Sequence, residues 1–123
     1  MGRAFGALLR SWRREAGKNL EETAALLGVK VPYLSQVELG HRPPLRTDRI
    51  LAVAEYFGHD PRPALALAAE ERGAFELDAS RVPPEARELG AALMRGWDEL
   101  TADDAATLNR AFADILKRKE KEK

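Results

Sequence analysis

Five stretches of helical periodicity, each closed by a glycine, constrain this chain more than any other feature. Phe5, Leu8, Leu9, Trp12 and Ala16 repeat at intervals of three, one, three and four, which makes one apolar face on a helix over about residues 3–16, and Gly17 stops it. Asn19 stands three places before Glu22, a capping-box arrangement, and opens a second helix over about 20–27 that buries Thr23, Ala24 and Leu27. Gly28 closes that helix, because only glycine takes the left-handed conformation there without strain. A third helix, about 31–39, tolerates Pro32 in its first turn, where a missing N–H costs nothing, and uses Val29, Leu34 and Val37 as apolar contacts. Gly40 ends it, and His41-Arg42-Pro43-Pro44 reads as a loop. Ile50, Leu51, Ala54 and Phe57 mark a fourth helix over about 47–57, ended by Gly58. Asp60-Pro61 starts a fifth, about 61–72, with Leu65, Leu67, Ala68 and Ala69 apolar, before Gly73. No strand alternation or internal repeat is visible, so the expected fold is all-α.

The pattern changes after residue 72. Phe75-Glu76-Leu77-Asp78 reads as a short extended link, and Val82-Pro83-Pro84 breaks the chain again. The expected organisation is a five-helix domain over 1–72, a linker over 73–83 and a helical segment over 84–123. A sixth helix, about 84–97, carries Leu89, Leu93, Met94 and Trp97. A last one opens at Thr101, with Asp104 at its third position, and shows Ala105, Leu108, Phe112, Ile115 and Leu116 on one stripe. Two such helices bury little against each other, so they dock either on the front domain or on a second chain. A length of 123 residues accommodates one small domain with such an appended segment.

Several function classes fall away. There is no cysteine, which removes disulfide frameworks, thiol nucleophiles and cysteine-ligated zinc. His41 and His59 are the only imidazoles, 18 residues apart, so no metal site is expected. No run reaches the length of a spanning helix, and Arg3, Arg10, Arg13 and Arg14 interrupt the N-terminal apolar residues as no signal peptide would allow. A cytoplasmic protein without a membrane partner is expected. Glu21-Glu22 and Asp103-Asp104 are helix-start charges rather than catalytic dyads. No phosphate-cradling glycine loop occurs, and Ser35 has no local histidine base. No catalytic residue and no cofactor are expected.

The net charge is zero, but it is unevenly spread. Residues 1–18 carry five Lys/Arg against one acid, and residues 40–49 carry three Arg against one acid. Residues 70–114 carry five Arg against eleven acids, and the last seven, KRKEKEK, are basic again. Such a chain has a directional field although its sum vanishes.

A short helix, a three-residue turn that starts with glycine and a second short helix form a helix-turn-helix unit over residues 20–40. The run LLRSWRREAGKNLEETAALLGVKVPYLSQVELGHRPP resembles the lambda-repressor-like, Cro-type (XRE) helix-turn-helix family. The matching positions are Leu9, Arg13, Gly17, Glu22, Ala24, Leu27, Gly28, Val29, Tyr33, Leu34, Ser35, Glu38, Gly40 and Pro44, and the resemblance covers roughly residues 3–68. It implies a transcriptional regulator of bacterial or phage type, a repressor that binds double-stranded DNA as a homodimer on two half-sites. It also implies an ion pair between Arg13 and Glu38 that fixes geometry more than it stabilises.

By the same resemblance, the third helix enters the major groove. Lys30, Val31, Pro32, Ser35 and Gln36 are then the candidates for base contact, with Gln36 suited to adenine and Val31 and Pro32 to a thymine methyl. Arg10, Arg14, Lys18, Asn19, Arg42 and Arg46 are the candidates for phosphate contact, Asn19 through the N-terminus of the second helix. Leu89, Leu93, Trp97, Leu108, Phe112, Ile115 and Leu116 are the candidate dimer residues. Three positions depart from the family pattern: Leu20 where a polar Gln is common, Val31-Pro32 at a usually polar helix front, and Lys30 where a capping side chain is usual. A reader with so few base-edge donors leans on backbone contact, DNA shape and dimer spacing. The other reading left open is an antitoxin-like protein-interaction module, with the helix-turn-helix as scaffold and a toxin or metallopeptidase as partner.

Overall fold

A computed structural model describes residues 3–122, and the described chain is all-α. The helices are α1 (Ala4–Glu15), α2 (Leu20–Leu27), α3 (Val31–Leu39), α4 (Thr47–Phe57), α5 (Arg62–Arg72), α6 (Pro84–Gly96) and α7 (Ala102–Lys121), with a 3₁₀ turn at Trp97–Glu99. The chain divides into two compact units, one ending at Leu77 and the other beginning at Asp78.

In the first unit α1 packs on α3 and α5, α2 packs on α3 and α4, and α4 packs on α5. Phe5, Leu9 and Trp12 of α1 meet Ala24 and Leu27 of α2, Leu34 and Val37 of α3, Ile50, Val53 and Ala54 of α4, and Ala64 and Ala68 of α5 in one apolar core. The indole of Trp12 stacks on His59, with ring centroids 4.7 Å apart. α1 has no side-chain cap of its own. Glu71 of α5 supplies one, its Oε2 accepting from the Phe5 N–H at 2.9 Å.

The apolar faces differ from expectation at three places. Leu51 is 45% exposed and Val53 takes its place in the core, because residues 50, 53, 54 and 57 form the i, i+3, i+4, i+7 stripe and residue 51 lies off it. Ala16 is exposed, since α1 ends at Glu15 and Ala16 is its C-cap. Leu45, in the loop after Pro43-Pro44, is fully buried although no periodicity announces it.

Gly6 marks a close approach of α1 to α3. A Cβ built there would collide with the backbone of Val37 and Glu38 at the end of α3. Backbone cannot rotate away as a side chain can, so α1 and α3 would have to separate. Gly6→Ala is expected to cost about 1–3 kcal/mol as overpacking strain, despite the higher helix propensity of alanine. Thermal unfolding followed by circular dichroism checks it.

The second unit is built differently. Thr101 and Asp104 cap α7 reciprocally, each side chain accepting from the other's backbone N–H at 3.1 Å. Among the described residues of α6, the 3₁₀ turn and α7, none is buried. Leu89, Trp97, Leu108, Phe112, Ile115 and Leu116 are exposed, and Leu93 is half-buried.

Candidate nucleic-acid interface

The α2–turn–α3 unit is set by local chemistry at each end. Asn19 Oδ1 accepts from the Glu22 N–H at 2.8 Å, and Glu22 Oε1 accepts from the Asn19 N–H at 3.1 Å, so two orphan donors of α2 are satisfied. Thr23, fully buried, donates its hydroxyl to the Asn19 carbonyl at 3.1 Å. At the other end Gly28 adopts φ 68° and ψ 31°, which lets the Val29 N–H reach the Ala24 carbonyl at 3.0 Å. α3 begins at once, with Lys30 extended as its N-cap and Pro32 in its first turn. Ala24, Leu27, Leu34 and Val37 lock the two helices to the core.

One ion pair holds α3 against α1. Arg13 Nε donates to Glu38 Oε2 at 2.7 Å and Nη2 donates to Glu38 Oε1 at 2.9 Å, a bidentate fork, while Nη1 donates to the Lys18 carbonyl at 3.0 Å. The two side chains are only 10% and 4% exposed. The hydrogen bonds from Arg13 to Glu38 hold its guanidinium pKa above the ordinary value, against the opposing effect of burial. The bidentate fork ties α3 to α1 and fixes the angle at which α3 faces outward.

Lys30, Pro32 and Gln36 are exposed, while Val31 and Ser35 are half-buried. Val31 and Tyr33 pack partly against the core, so only part of the α3 front is free. Gln36 Oε1 lies 3.0 Å from His41 Nδ1, which orients the amide from the loop beyond Gly40. The Arg42 guanidinium sits 5.9 Å from the centroid of the Tyr33 ring. His41 and Tyr33 thus restrain the side chains of Gln36 and Arg42. The five-residue step from Gln36 to His41 across a glycine turn was the signal that could have identified the first.

The basic candidates are not alike. Arg10, Arg14 and Arg42 are exposed, and among the described residues no carboxylate pairs with them. Lys18 is half-buried with its Nζ 3.6 Å from Glu22 Oε2. Arg46 Nη2 is bonded to Glu76 Oε2 at 2.8 Å. Arg72, which also reaches toward Glu76 at 4.0 Å, donates to the Pro44 carbonyl. The α2 N-terminus carries Glu21 and Glu22 in its first turn, so an anion approaching Asn19 meets carboxylates beside the N–H groups. Among the described residues no cluster of His, Asp or Glu could hold a metal ion, and no helix is long and apolar enough to cross a membrane.

Comparison with known proteins bears on the same segment. The family model described as "Helix-turn-helix domain" matches residues 4–67, from α1 into α5. A solved structure of the clp gene regulator ClgR from Corynebacterium glutamicum is 32% identical over 55% of this chain and 87% of its own, with a TM-score of 0.46. Another structure of ClgR from the same organism is 26% identical over 78% of this chain and 90% of its own, with a TM-score of 0.47. No curated protein matches the chain. The family match covers more than half of the chain and takes in the whole α2–turn–α3 unit, and on that ground the chain belongs to the helix-turn-helix domain family.

Proposed function

We propose that this protein is a cytoplasmic DNA-binding transcriptional regulator, acting as a repressor, that places α3 in the major groove of an operator. The observation that carries the reading is α3 itself. It is clamped through Glu38 to Arg13 and turns Lys30, Pro32 and Gln36 outward, while exposed Arg10, Arg14 and Arg42 stand on the flanking elements. Gln36 is the principal base reader, its amide suited to the adenine edge, and Ser35 assists from a half-buried position. Val31 and Pro32 offer apolar contact to a thymine methyl. The exposed arginines neutralise phosphates and add affinity without sequence preference. Two copies joined through Leu89, Leu93, Trp97 and the α7 stripe bind two half-sites, which suits a second unit in which none of the described residues is buried. The expected division is a DNA-binding domain over 1–72, a linker over 73–83 and a dimerisation segment over 84–123.

A mobility-shift assay with genomic fragments, including the region upstream of the protein's own gene, tests this. Gln36→Ala is expected to relax sequence preference by about 1–3 kcal/mol at one position, while Arg14→Ala weakens all duplexes alike. The exposed apolar Pro32 at the α3 front favours one other reading, an antitoxin-like module whose partner is a toxin or metallopeptidase. That reading expects no duplex binding above background and loss of a protein partner on substitution of Val31 or Pro32.

A further inference from the structure

We propose that α7 pairs antiparallel with α7 of a second copy of this chain, with Phe112 near the two-fold axis; this rests on the dimer reading above. Part of the α7 stripe is symmetric about Phe112; Ile115 is the exception, since Asn109 stands at its mirrored position. Leu108 and Leu116 lie four residues to either side, and Ala105 and Lys119 lie seven residues to either side. An antiparallel copy therefore sets Phe112 beside Phe112 of the partner subunit and Leu108 beside Leu116 of the partner subunit. Ala105 then faces Lys119 of the partner subunit, and its short side chain leaves room for the lysine stem.

Charge decides the direction. The first turn of α7 carries Asp103 and Asp104, and the last turn carries Arg118, Lys119 and Lys121. At about 100° per residue, Asp104, Ile115, Arg118 and Lys119 fall on the same side of the line through Phe112. In the antiparallel arrangement Asp104 adjoins Arg118 and Lys119 of the partner subunit along that side. A parallel arrangement would set Lys119 against Lys119 and leave each Asp104 level with the acidic first turn of the partner subunit, with no cation beside it. Each helix also places its acidic N-terminus beside the partner's basic C-terminus, an arrangement that opposed helix dipoles favour.

The sequence has no cysteine, so Ala102→Cys provides a single site for a spin label on the full-length chain. Ala102 is ten residues from Phe112. Antiparallel pairing therefore separates the two labels by about 30 Å, at a rise of about 1.5 Å per residue, whereas parallel pairing leaves them roughly one helix diameter apart, about 10 Å. A separation near the larger value supports the proposal, and one near the smaller value overturns it while leaving the dimer intact. Phe112→Asp is expected to raise the dimer dissociation constant about hundredfold or more, because two buried phenyl rings are lost. The melting of the first unit serves as the folding control. An unchanged dissociation constant would locate the interface elsewhere and overturn the proposal. A monomeric light-scattering mass at every concentration would instead refute the dimer reading on which the proposal rests.

Discussion

Glu38→Ala is expected to destabilise the first unit by about 3–5 kcal/mol, enough to unfold much of a marginal domain. Both Glu38 oxygens accept from the Arg13 fork, and both side chains are almost fully out of solvent. Removing the carboxylate leaves a guanidinium that cannot neutralise itself, with only the Lys18 carbonyl still accepting from it. The cost is that of a buried, uncompensated charge rather than of one lost hydrogen bond. For a domain of this size each kcal/mol shifts the melting temperature by roughly 4–8 °C, so a fall of about 12–40 °C is expected by calorimetry. The double variant Arg13→Met with Glu38→Leu removes both charges and fills the space with apolar atoms, and is expected to lose far less. A double variant as unstable as Glu38→Ala alone would refute this account. α3 in the double variant would keep its stability but lose the bidentate fork that sets its angle to α1.

How much of this could be read before the structure depended on the range of the interaction. Helix ends were legible because each is decided within a few residues: Asn19 with Glu22, Thr101 with Asp104, and a left-handed glycine after each of α2, α3, α4 and α5. Faces were legible where the stripe was regular, as with Phe5, Leu9 and Trp12. They were misread in α4, where leucine is the larger apolar residue but Val53 lies on the inward line and Leu51 beside it. Leu45 escaped because a loop residue that enters the core obeys no period.

The placement of the candidate side chains was legible to the same degree. Which side chains leave α3 on its outer face follows from helical geometry, but which cations are free does not. Arg46 is engaged by a glutamate 30 residues away, because residues 74–77 belong to the first unit rather than leaving it at once after α5. Local sequence contains nothing that brings Glu76 to Arg46. The Arg13–Glu38 pair spans 25 residues and was anticipated through family resemblance, not through any spacing rule.

The distinction between free and engaged cations makes the salt dependence of duplex binding a sharp measurement. Arg10, Arg14 and Arg42 have no carboxylate partner among the described residues, whereas Lys18 and Arg46 would have to exchange Glu22 and Glu76 for phosphate, with little net gain in released counterions. Three cations per protomer and two protomers give about six phosphate contacts, and a logarithmic salt slope of about −5. Operator affinity is then expected to fall about thousandfold as monovalent salt rises from about 50 to about 200 mM. Arg14→Ala should reduce the slope by about 1 for each copy bound, while Arg46→Ala should barely change it. Phe112→Asp, which separates the two copies, should roughly halve it, because each half-site is then bound by a single protomer. Binding titrations at four or five salt concentrations for the unaltered chain and the three variants read all four slopes. A slope near zero would remove phosphate contact, and with it DNA, as the partner of this face. A slope lowered as much by Arg46→Ala as by Arg14→Ala would mean that the Arg46–Glu76 pair opens on DNA, placing the 74–77 segment beside the duplex.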